Sequence, residues 1–152
     1  MSKPRKKKSR KNPWIGFVHL DLFELHIPVF VDPEARLEGL KHYGVLEPTT
    51  IDFPVLGTAS FDCDEDGARI YALYFREDAG PETWSHEASH LVDFILNQLG
   101  MGVGLKNTEL RAYMVGYLTG QIYDLLLDYN QKGHKHQSHS IPVCSCGAPT
   151  LH

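Results

Sequence analysis

A chain of 152 residues can bury one hydrophobic core and is short for two. With 42% hydrophobic residues and no apolar run long enough for a transmembrane helix, it reads as a soluble globular domain without a membrane partner. Charge is uneven: Lys3, Arg5, Lys6, Lys7, Lys8, Arg10 and Lys11 are seven of the fifteen basic residues, and the remainder sets eight basic against nineteen acidic residues, a formal −11.

The basic segment predicts a disordered extension over residues 1–12, with nucleic acid or another polyanion as a partner for residues 3–11. It is not expected to be a secretory signal, since Asp21 and Glu24 interrupt before any apolar stretch develops, and a cytoplasmic location is expected. Cys63, Cys144 and Cys146 are an odd number and make no disulfide framework, in keeping with a reducing compartment.

Beyond the tail, Trp14–Leu22 and Phe23–Val31 are rich in aromatic and β-branched residues and predict two strands, with Pro28 marking an edge or a bulge. Asp32 and Pro33 start a short helix that runs through Arg36, Leu37 and Leu40 to Gly44. Residues 47–54 read as a connection. A hairpin follows, Thr58–Phe61 and Arg69–Phe75, turning at Asp66-Gly67; its acidic tip of Asp62, Asp64, Glu65 and Asp66 is too short for a calcium loop and reads as a solvated turn.

Pro81 and Glu82 open a helix of about 81–99 that Gly100 stops. Its first turns carry His86-Glu87-Ala88-Ser89-His90, an H-E-x-x-H motif. Residues four apart share a helix face, so His86 and His90 can grip one Zn²⁺ per chain while Glu87 reaches the water beside it as general base. The helical wheel sets His86, Ser89, His90, Asp93 and Asn97 in a polar stripe opposite Trp84, Ala88, Leu91, Val92, Ile95 and Leu99. After a glycine-bearing loop, a second long helix is predicted from Thr108 to Tyr129. Residues 131–152 read as a flexible tail, leaving 13–130 as the folded domain.

A catalytic zinc takes three protein ligands and leaves one position open. Glu109, nineteen residues after His90, is the candidate third ligand, and the small stripe Ala112, Gly116 and Gly120 on its face predicts close packing against the motif helix. The same glutamate also suits a helix first turn through the dipole alone. Asp93 is a rival ligand or an orienting group, and His134, His136 and His139 are further rivals. Cys144 and Cys146 with His134, His136, His139 and His152 offer donors for a second zinc site in the tail.

The run from Thr83 to Phe94, with Glu109-Leu110-Arg111-Ala112-Tyr113 downstream, resembles the zincin metallopeptidases of the gluzincin type, in particular the small H-E-x-x-H proteins of bacteria and their phages. The resemblance spans roughly residues 57–129 and is specific at His86, Glu87 and His90; the N-E-x-x-S-D form of the third-ligand motif and a second domain are lacking. It implies a minimal zincin-like α+β domain, with a small antiparallel sheet packed on the motif helix and a second long helix. It implies a zinc metallopeptidase acting on a peptide or protein substrate, with Glu87 as base. Tyr113, one turn after Glu109, is the geometric candidate for stabilising the oxyanion, and Tyr117 is a poorer one. By the same resemblance an extended substrate pairs with the edge strand before the motif helix, expected to be Arg69–Phe75. The alternative is a metal-stabilised binding or regulatory module without turnover, brought to nucleic acid by the basic tail.

Overall fold

The computed structural model describes residues 12–51, 55–102 and 104–133. The basic residues 3–11, the tail histidines and the Cys144/Cys146 pair lie outside the described residues. The domain is α+β, as expected: strands β1 (Gly16–Leu20), β2 (Leu25–Phe30), β3 (Gly57–Cys63) and β4 (Arg69–Phe75), with helices α1 (Pro33–His42), α2 (Pro81–Gln98) and α3 (Thr108–Gly133). Among the described residues no helix is long and apolar enough to cross a membrane.

Local chemistry explains the boundaries. The β1–β2 hairpin turns through a short 3-10 segment, Asp21–Phe23, that ends on Glu24 at φ 52°. Asp32 caps α1 by accepting a hydrogen bond from the Ala35 N–H at 2.8 Å, with Pro33 at the first helical position. In the β3–β4 hairpin the Asp64 carboxylate accepts the N–H groups of Asp66 and Ala68 while Gly67 takes φ 81°. Asp64, Glu65 and Asp66 are therefore a turn stitched by the Asp64 side chain, whereas Asp62, expected in the same solvated turn, is buried on β3.

The sheet order is β1-β2-β4-β3, and two expectations change with it. The sheet is mixed, because β2 and β4 run parallel while β1–β2 and β3–β4 are antiparallel. The edge strand beside α2 is β3, and β4, expected at the edge, is central. The reason is that α1 and the connection after it carry the chain across the sheet, so that β4 is laid directly against β2. Pro28 sits in the central strand β2, but pairing with β4 starts only at Val29↔Leu73, so its missing N–H removes nothing from that ladder.

Side chains alternate across the sheet. Val18, Leu20, Ile27, Val29, Tyr71, Leu73 and Phe75 face α2 and α3, forming the main core with Ala88, Leu91, Val92, Ile95, Met114, Leu118 and Ile122. Phe30, Ala72 and Tyr74 face α1 with Leu40 and Val45. On α2 the buried face closes with Leu96, and Leu99, expected inside, is half exposed as the residue that ends the helix.

Helix α3 is turned differently from the expectation. Its buried residues are Met114, Leu118, Ile122 and Leu126, and a Cβ added at Gly116 or Gly120 would meet nothing within 4 Å. Close packing by the Ala112/Gly116/Gly120 stripe is thus corrected. Four large apolar side chains at i, i+4 spacing each gain about 1.5–3 kcal/mol on burial, whereas a glycine stripe has almost no apolar surface to remove from water.

Candidate metal and hydrolytic site

Helix α2 places His86 and His90 one turn apart on its outer side, both exposed. Their Nε2 atoms stand 3.0 Å apart, with the rings edge to face. Two neutral imidazoles at that distance share one proton-mediated contact. They also suit a shared ion: with metal–nitrogen bonds of about 2.0–2.1 Å, a tetrahedral zinc sets two nitrogens about 3.3 Å apart, a few tenths of an ångström beyond the separation seen. A small rotation of two exposed rings covers the difference.

Glu87 lies between the histidines in sequence but points elsewhere. It is buried, and its Oε2 accepts the N–H of Ala59 on β3 at 2.7 Å. Ala59 is an edge residue whose N–H points away from β4, so this contact joins the free edge of the sheet to the motif helix. Gly57 makes the close approach possible. A Cβ there would stand 2.8 Å from Thr83 Cγ2 and 3.1 Å from both Glu87 Cγ and Phe75 Cδ1. Gly57→Ala is expected to push β3 off α2 and cost about 1–3 kcal/mol, read as a lower urea midpoint; an unchanged midpoint would show that the strand and helix are not in contact there. Beside Gly57, an open depression of ≈ 460 Å³ is lined by Val55, Leu56, Glu82, Thr83, His86 and Glu87.

On the next turns of the polar stripe, Arg111 of α3 bridges to α2. Its Nε donates to Asp93 Oδ1 at 2.6 Å, and its Nη2 to Asp93 Oδ2 at 2.9 Å and to Ser89 Oγ. Hydrogen bonding to Asp93 pushes the Arg111 guanidinium further up, with burial opposing. Asp93, a rival metal ligand on sequence, is engaged by this bidentate pair.

Glu109 and Tyr113 flank Arg111 by two residues on either side, about 200° round the helix. Since Arg111 faces α2, both project from the far side of α3: Glu109 is exposed and Tyr113 is 70% exposed, stacked parallel on Tyr117. The structure brings His86 and His90 together and, separately, sets Glu87 against the β3 edge. It does not bring Glu109 or Tyr113 to them, and among the described residues no group of three or more His, Cys, Asp or Glu is arranged to hold a metal.

Sequence reasoning missed the Glu87–Ala59 contact, the Arg111 bridge and the role of Gly57. Arg111 alone left a signal, as a cation eighteen residues from an aspartate on the polar stripe of the preceding helix. No protein-family model, curated protein or solved structure matches the chain.

Proposed function

We propose that the His86–Glu87–His90 unit is the centre of a zinc-dependent peptidase. One observation carries this reading: two imidazole nitrogens converge to 3.0 Å on the helix that also lays a glutamate against the free edge of a β-sheet. His86 and His90 would hold the ion. Glu109, the third ligand expected on spacing, projects from the far side of α3, so Glu109→Gln is expected to bind zinc as tightly as wild type; zinc lost in that variant would return Glu109 to the set.

When bound, zinc supplies Lewis acidity to the scissile carbonyl and acidifies water at neutral pH. The chain's own residues do the rest. An extended peptide adds to the sheet along β3, where alternate residues present outward N–H and C=O groups. Its main chain competes with Glu87 for the Ala59 N–H, so seating the peptide releases the carboxylate. Glu87 then accepts a proton from the attacking water and returns it to the leaving amine.

Cleavage of an unstructured protein such as casein is expected, lost on treatment with a chelator and restored by added zinc. Cleavage indifferent to the chelator would refute a metal-dependent centre. A second reading is favoured by the same Glu87–Ala59 hydrogen bond, in which that bond is a permanent structural tie and the domain is a metal-stabilised binding module without turnover. Chelation that lowers the melting temperature, in a protein that cleaves nothing, would select this reading.

A further inference from the structure

We propose that His19 and His26 form a second metal site, on the opposite face of the sheet from α2, for a late first-row divalent ion such as Cu²⁺. The two residues are register partners in the β1–β2 ladder. Their neighbours Val18, Leu20 and Ile27 point into the core shared with α2 and α3, so strand alternation sends both imidazoles to the other face. His19 is half-buried and His26 exposed, and the ring centroids are 4.6 Å apart at 89°.

That spacing suits one shared ion. With metal–nitrogen bonds of about 2.0–2.1 Å and ring centres about 1.1 Å beyond the nitrogens, two imidazoles on one metal have centroids about 4.5 Å apart at a right angle and about 5.1 Å apart at the tetrahedral angle. The backbone beneath is fixed from both sides. The Gln121 side chain of α3 accepts the His19 N–H at 2.8 Å and donates to its carbonyl at 2.7 Å, while β2 holds the other edge of β1. One ligand therefore stands on a strand held in place, and the other on the strand paired with it. Imidazole is a preferred ligand for copper, nickel and zinc, and the order of divalent affinities makes copper the tightest of them, with water completing its coordination. A site on a two-stranded hairpin would also staple β1 to β2, since only the paired strands hold both ligands together.

The test is a Cu²⁺ titration of the full chain from zero to three equivalents, followed by paramagnetic broadening of backbone amide resonances. Wild type, His26→Gln and the double variant His86→Ala/His90→Ala are compared. Intensities over residues 18–27 are expected to fall several-fold in wild type and in the double variant, and to persist in His26→Gln. A hairpin untouched by copper in wild type would overturn the site, as would equal broadening in His26→Gln or its loss in the double variant.

Discussion

Glu87→Gln is expected to leave the protein folded and able to bind zinc, and to lower peptide cleavage by about 10²–10⁴-fold, the usual contribution of a general base. Glutamine has nearly the shape of glutamate, and its amide oxygen can still accept the Ala59 N–H that Glu87 Oε2 accepts at 2.7 Å. The packing of Glu87 Cγ over Gly57 is likewise kept. What is lost is the ability to take a proton from water. Turnover and thermal melting measured on the same preparation separate the two roles. Cleavage at the wild-type rate would show that Glu87 is not the base, and a collapse of the melting temperature would show that its charge is needed for the fold.

The largest effect on stability is expected far from the histidines, in Arg36→Ala. Arg36 is 1% exposed, beneath the sheet face that α1 covers. Its Nη1 donates to the Thr49 carbonyl at 2.6 Å and its Nη2 to Ser60 Oγ at 2.7 Å, with Asp62 Oδ2 3.6 Å from Nη2. Asp62, itself buried, also accepts the Thr49 N–H and hydroxyl through Oδ1. Burial pulls the Arg36 pKa down and the neighbouring Asp62 carboxylate pulls it partly back, so the pair is held together against a desolvation cost. Removing the cation leaves a buried carboxylate without its counter-charge, a loss of about 3–5 kcal/mol by denaturant unfolding. Adding Asp62→Asn should recover part of that loss, because it removes the orphaned charge. A loss below about 1 kcal/mol, or no recovery in the double variant, would show that the cluster is not acting as a pair. Ser60 and Asp62 lie on β3, so this cluster anchors the same edge strand that Glu87 touches from the other side.

Much of this architecture is legible in the sequence where local chemistry decides it. Asp32-Pro33, Asp66-Gly67 and Pro81 fix where elements begin and turn, and the apolar spacing of α2 places Trp84, Ala88, Leu91, Val92 and Ile95 inside. The motif itself is legible because four residues of helix suffice to bring His86 and His90 together. Legibility ends where partners come from afar. Nothing local tells β4 to lie parallel against β2, or makes β3 the edge. Nor does a wheel of α3 alone choose between its glycine stripe and the Met114–Leu118–Ile122 face; the area to be buried decides it, and with it the direction of Glu109 and Tyr113. The burial of Arg36 is hidden for the same reason: its partners Ser60 and Asp62 come from a strand more than twenty residues later.

The central claim, that His86 and His90 hold a catalytic metal, is tested most directly by zinc content per chain, measured by inductively coupled plasma mass spectrometry on tag-free wild type beside His86→Ala. About one zinc in wild type and none in His86→Ala is the expected result. No zinc in wild type would return the histidines to a solvated helix face, and zinc retained in His86→Ala would place the metal elsewhere in the chain.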